Sequence, residues 1–320
     1  MNALVAASGM TVERFPMPTT LRIAGYQDAR SVHSRAMRTL EAALNGSSIA
    51  TEFEENIAAR GRKVADLLDL VESGELDLCY FSSSYLTARV PALGVFDIPF
   101  ELTDRLRTQR LLQGALGAYV AGEVARHSGY RVLGCWDNGL RNISNRLRPI
   151  RTPADCAGLR IRTLPSEGYH AAFRALGMEP VTIDIRDFVE AIATHKVDAQ
   201  ENPLTNIRQF GLQAHHRHVT MTRHFHGIAL LLCNANMWAG GTTQFRDALT
   251  NAARQATQAQ WGFATRDERE SRTALEAEGV AIVDLDHAGR AAFRAAVRPL
   301  VERQLAALPP ELAALLNAAA

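Results

Sequence analysis

The sequence predicts an α/β protein of two domains with one helix long enough to bridge them, and three observations carry that prediction. The first is length: 320 residues exceed the ~250–300 at which a single core stops growing. The second is an order of short apolar strands alternating with helical segments, broken and restarted near the middle of the chain. The third is the stretch between Gly241 and Gly279, which holds no proline and one glycine, Gly262. As a helix it reaches about 50 Å, more than the width of a domain of ~130 residues.

The first half reads as strand 20–24, helix 32–44 with Ala36, Leu40 and Leu44 at intervals of four, and strand 49–53. Helix 62–72 follows, stopped by Gly74, and then strand 76–81. Such alternation implies a parallel sheet with helices on both faces, because parallel strands need long crossovers. Strands at 92–96 and 131–136 flank a helix over 104–126. The pattern then restarts. Thr152, Pro153 and Asp155 supply an N-cap, a first-turn proline and an acid before Gly158. Strand 159–163, helix 166–177, strand 178–182, helix 187–194 and strand 197–200 form the second unit. The Ala/Leu/Arg-rich tail is helical over 286–308 and again after Pro309.

Composition excludes several classes of function. Hydrophobic residues make up 47% and charged residues 22%, enough apolar matter for a folded core. The 35 basic residues balance 34 acids, so nothing points to nucleic acid or an anionic membrane as partner, and any anion site must be local. No apolar run approaches the ~18–20 residues of a membrane span, so stable insertion is not expected. Cys79, Cys135, Cys156 and Cys233 lie far apart without a C-x-x-C pair and read as small buried hydrophobes. Met1 to Met10 lacks a basic n-region and is a poor secretory signal, so the chain reads as cytoplasmic or already trimmed.

The chemistry concentrates between Asn138 and Pro203. In LRIRT, alternation sets Arg160 and Arg162 on one face, with Arg162 near the carboxyl end of its strand, where ligands of open α/β sheets collect. Its planar fork suits a carboxylate; a surface ion pair is the alternative. Arg141, in the extended segment that opens the second unit, is a candidate second cation. Asn202, held extended by Pro203, can donate its amide to a carboxylate or hydroxyl, or cap the helix that follows. His215, His216, His218, His224 and His226 crowd twelve residues, yet no H-E-x-x-H accompanies them, and no metal site is expected. Dinucleotide, P-loop and hydrolase signatures are absent, so no cofactor is expected either.

The runs RPIRTPADCAGLRIRT, MEPVTIDIRDFVEAIATHKVDAQENP and TRHFHGIALLLCNANMW, with fainter likeness in SGELDLCYFSSSYL and FDIPFEL, resemble the solute-binding subunit of tripartite ATP-independent periplasmic transporters. The resemblance spans roughly residues 21–305. It implies a periplasmic-binding-protein-like fold with crossing strands and a helix spanning both domains: 19–139 plus 226–262, and 140–225 plus 263–320. It also implies a periplasmic, monomeric binder, not an enzyme, that closes on a small organic-acid anion and delivers it to transporter membrane subunits. Arg162 falls on the family's principal carboxylate-binding arginine, Arg141 on an assisting one and Asn202 on the amide of QENP. Phe100, Trp136 and Phe225 lie in segments that often line the pocket. His195 and Ala199 stand where the family usually has glycine. A cytoplasmic or signalling sensor on the same fold and, behind it, a metal-dependent enzyme are the competing readings.

Overall fold

The computed structural model describes residues 20–318. Met1 to Met10, the stretch read for a leader, lies outside them. In chain order the elements are β1 (Thr20–Ala24), α1 (Val32–Leu44), β2 (Ala50–Glu54), α2 (Asp66–Ser73), β3 (Leu78–Ser82), α3 (Arg105–Gln113), α4 (Ala115–His127) and β4 (Tyr130–Asn145). Then come β5 (Arg160–Thr163), α5 (Glu167–Ala175), β6 (Glu179–Thr182), α6 (Ile185–Ala193), β7 (Ala199–Asn202), α7 (Leu204–Gln209) and β8 (His218–Asn234). The chain closes with α8 (Ala235–Gly240), α9 (Thr243–Ala277), β9 (Ala281–Asp284), α10 (His287–Ala306) and α11 (Pro310–Asn317).

All nine strands join one sheet in the order β2-β1-β3-β8-β4-β7-β5-β6, with β9 on β8. The expected parallel pairing holds inside each unit, as β2-β1-β3 and β7-β5-β6. The sheet as a whole is mixed, because β4 and β8 run antiparallel to each other through both units. β3 takes the 229–233 stretch of β8 and β9 takes the 218–221 stretch, so one strand serves two sheets' worth of neighbours.

Three apolar clusters fill the layers. One unites β1, β3, α1, α4 and the 228–233 stretch of β8; the other two lie around α5 with α10, and around α6 with α7. The long helix α9, 35 residues, touches both ends: Phe245 to Trp261 bury in the first cluster and Leu275 in the third. Its bridging role is therefore a packing fact. The tail crosses back, with Phe293 and Val297 of α10 in the second cluster and Leu312 and Leu316 of α11 in the first.

Local expectations fail where tertiary packing overrides period. The apolar stretch 92–96 is a 3-10 helix, Pro91–Asp97, not a strand. Pro91 opens its first turn, and Leu93, Val95 and Phe96 all bury in the first core without pairing to any strand of the sheet. The helix expected over 104–126 is two, because Gly114 leaves helical geometry at ψ −146° and Gly117 lies where a Cβ would come within 2.0 Å of the Leu112 carbonyl oxygen. His195 adopts φ 59°, a left-handed conformation that costs free energy for a residue with a side chain.

Candidate functional site

β4 enters the second unit through Gly139, whose φ of 86° and bare α-carbon admit Pro203: a Cβ there would fall 2.4 Å from the proline ring. This close approach seats the QENP segment beside β4, where Asn142 pairs with Asn202 and Ile143 with Glu201. Two residues earlier in β4's second half, Arg141 meets Glu201. Its Nε donates to Glu201 Oε2 and one Nη donates to Oε1 at 2.8 Å, to the Glu201 carbonyl at 2.9 Å and to Asn202 Oδ1 at 3.1 Å. Burial opposes the charge on both partners, yet each stabilises the other: Arg141 stays above its usual value and Glu201 below the usual carboxylate range. The Asn202 amide does not cap α7. It donates to Gln200 Oε1 at 2.7 Å, and Gln200 Nε2 in turn donates to Ser144 Oγ, itself 3.0 Å from His216 Nδ1.

Arg162 is set differently. It is 1% exposed, so the surface ion pair is excluded. Its Nε donates to the Ile183 carbonyl at 3.0 Å and its guanidinium lies 4.5 Å over the Phe188 ring. Among the described residues Arg162 forms no salt bridge, and its Nη2 has no hydrogen-bond partner. Burial accordingly pulls its pKa below the ordinary guanidinium value, with Tyr85 and Glu201 opposing. A buried cation held at Nε and on one face, with Nη2 unpartnered, has the chemistry to accept an anion.

Tyr85 belongs to the first unit, and its neighbours form the opposing wall. Ser84 donates to Asp97 Oδ1 at 2.8 Å, and from the second unit Ser166, at the start of α5, donates to Asp97 Oδ2 at 2.5 Å. Burial pushes the Asp97 carboxyl up to about 7 despite those two hydroxyls. Ser83 Oγ and Thr163 Oγ1 are buried without partners. None of Ser83, Ser84, Tyr85, Asp97, Ser166, Tyr169 or Glu201 was singled out from sequence. SSSYL, FDIPFEL and QENP contain five of them, but a serine or an acid in such runs carries no local signal of burial.

The aromatic candidates disperse. Phe225 stacks on Tyr169 with centroids 4.1 Å apart, and Arg141 lies 5.7 Å over that tyrosine, so Phe225 is close to the polar cluster. Trp136 is wholly buried in the first core and donates to Thr257 of α9 at 3.0 Å. Phe100, at φ 64°, binds the His224 carbonyl through its N–H and lines a cavity of about 380 Å³ with Arg223, Arg290 and Arg294, whose lining does not include Arg162. The histidines disperse too: His216 faces Ser144, His224 lies between Thr222 and Glu201, and His226 meets Asp137 at 2.9 Å. All four cysteines are buried and free, and burial pushes the thiols of Cys135, Cys156 and Cys233 up to about 12. Among the described residues no helix is long and apolar enough to cross a membrane.

Comparison with known proteins matches residues 41–307 to bacterial extracellular solute-binding protein, family 7. The 2,3-diketo-L-gulonate-binding periplasmic protein of Escherichia coli is 28% identical over 78% of this chain and 75% of its own. The C4-dicarboxylate-binding periplasmic protein of Rhodobacter capsulatus is 26% identical over 70% and 67%. Among solved structures, a sugar acid binding protein of Advenella mimigardefordensis in complex with galactonate superposes with a TM-score of 0.89 at 22% identity, covering 95% of this chain and 98% of that one. A periplasmic solute-binding protein of Bordetella bronchiseptica, with density assigned to pantoate, gives 0.88 at 27% identity over 95% and 100%.

Proposed function

Because the chain belongs to the family 7 bacterial extracellular solute-binding proteins, we propose that it captures a small organic-acid anion between its two units and passes it to the membrane subunits of a tripartite ATP-independent periplasmic transporter. The observation that carries this reading is Arg162, a buried cation with no salt bridge and an Nη2 without a partner among the described residues. Burying an unpaired charge is costly, so the arrangement is one that an incoming carboxylate relieves. With Nε held by Ile183, the two terminal nitrogens form the edge presented to the carboxylate.

The other residues take supporting parts. Arg141, its charge met by Glu201, gives the wall beside Arg162 a fixed polar edge, and Asn202 holds that pair in register. Phe225 and Tyr169 wall the site. Phe100 bridges the units through the His224 carbonyl, and Trp136 anchors β4 to α9. The periplasmic placement of the relatives is carried over to this chain, with monomeric binding and release in place of catalysis.

A thermal-shift screen of organic acids tests the reading first, since a ligand specific for the folded state adds about 4 kcal/mol at a thousandfold excess over Kd. Calorimetric titration of the best acid then compares wild type with Arg162→Ala and Arg162→Lys. The alanine variant is expected to bind tens- to thousands-fold more weakly, the ~2–5 kcal/mol of a broken buried charge pair, and lysine to recover little of it. Lysine binding within about threefold of wild type, roughly 0.7 kcal/mol, rules out the two-pronged contact.

A further inference from the structure

We infer that the site is built for a monocarboxylate whose far end carries hydroxyls and no second anionic group; this rests on the organic-acid reading above. The argument is a charge count. Arg141 and Arg162 are the two buried arginines among the described residues. Glu201 engages Arg141 with both carboxylate oxygens, so that pair is neutral as a unit. Arg162 alone is left to meet the ligand, and one positive charge is balanced by one negative charge.

A second carboxylate would need a second cation on the opposite wall, and the first unit supplies none there. Among the described residues no lysine or arginine is part of its buried polar set. Its half-buried Arg105 is taken by Asp137 and Glu268. His33, an imidazole buried in that unit, is held neutral by burial, which lowers it to about 4. Beside Arg162 from the first unit is instead Tyr85, and close by Ser84 donates to Asp97, which Ser166 also reaches from the second unit.

These groups suit hydroxyls. Ser83 Oγ, in the same short turn as Ser84 and Tyr85, is buried without a partner, and such a hydroxyl gains by meeting another. Asp97, bonded from both units by Ser84 and Ser166, adds an acid that repels a second carboxylate and serves a hydroxyl as donor or acceptor. Its carboxyl, pushed up to about 7 by burial, exchanges between those two roles near neutrality.

Matched pairs test the inference by calorimetric titration of the full chain. Gluconate is compared with glucarate and galactonate with galactarate, each pair differing in one terminal carboxylate replacing a hydroxymethyl group. Gluconate is also compared with hexanoate, and succinate and malate complete the panel. The sugar monocarboxylates are expected to bind, and their dicarboxylate counterparts to bind at least about 100-fold more weakly, as for a charge buried unpaired. Hexanoate should trail gluconate by about tenfold or more. A dicarboxylate within about tenfold of the best monocarboxylate, or hexanoate equal to gluconate, overturns this inference and leaves the organic-acid reading standing. A panel in which no acid binds overturns both. In a second arm, Glu201→Gln frees Arg141, and the dicarboxylate disadvantage should shrink by about tenfold or more. An unchanged ratio in a folded variant removes Glu201 as the cause; if that variant does not fold, the wild-type pairs decide.

Discussion

The two long strands run through both units, but their halves are built of different material. In the first unit, 228–234 of β8 pairs with 130–137 of β4 across one irregularity, between Val132 and Gly134, and Ala229 to Cys233 are wholly buried and apolar. In the second unit the same pair slips register twice, between Asp137 and Leu140 and between Arg141 and Ile143. There the buried positions carry Arg141, Asn142, Ser144, Thr220 and His224, with His226 at the boundary. A regular apolar ladder is stiff and indifferent to what lies beyond it. An interrupted one re-aims side chains and requires every buried polar group to find a partner, and this is where the candidate site stands.

Breaking the polar half should cost most. Glu201→Ala leaves Arg141 buried beside a void, and a loss of about 3–5 kcal/mol in unfolding free energy is expected from urea titration. Arg162→Met makes the contrast sharp: it removes a cation that has no carboxylate to lose, so the empty protein should be as stable as wild type or more so. A comparable loss from both substitutions would erase the difference drawn between the two arginines.

In the apolar half, Leu231→Ala opens a cavity in the first core and should cost about 2–5 kcal/mol. Organic-acid affinity of the folded variant should stay within about twofold of wild type, because Leu231 contacts nothing at the junction. A calorimetric loss larger than tenfold would show the two halves to be coupled.

The pH dependence of Asp97 is subtler. Its folded value, about 7, lies above the ordinary carboxylate value, so the folded state binds more protons between about pH 4 and 7. Its contribution is present in full below pH 4 and is lost as pH rises through 7. His33 and His216, lowered by burial to about 4 and about 3, act in the opposite sense, losing stability as pH falls below 6.5. Subtracting wild type from Asp97→Asn isolates the acid: the difference in unfolding free energy should rise in favour of the variant from pH 4 to 8. A flat difference would mean that Asp97 is solvated.

The smallest effect is at the turn before β7. His195→Gly should gain up to about 1 kcal/mol, since relief of the left-handed φ of 59° is partly offset by the entropy of a glycine in the unfolded chain. A melting temperature unchanged or lowered would place a compensating contact on the imidazole.

Much of the architecture was legible in the chain. The period of four in α1, the glycine stops and the proline-free run of α9 act within a few residues of each other, and local sterics and hydrophobic spacing dictate them wherever the segment lies. Arg162 near the end of β5 was legible for the same reason. Other features had no local cause. The antiparallel crossing of β4 and β8, the break at Gly114 and the 3-10 turn at Pro91–Asp97 follow from which surfaces remain to be covered once the cores assemble. Above all, Arg141 and Arg162 look alike in sequence, two arginines at strand positions 21 residues apart. Tertiary structure alone gave Glu201 to one and left the other unpaired, because a charge is paired or free according to what folding brings within about 3–4 Å of it, and no spacing along the chain encodes that distance.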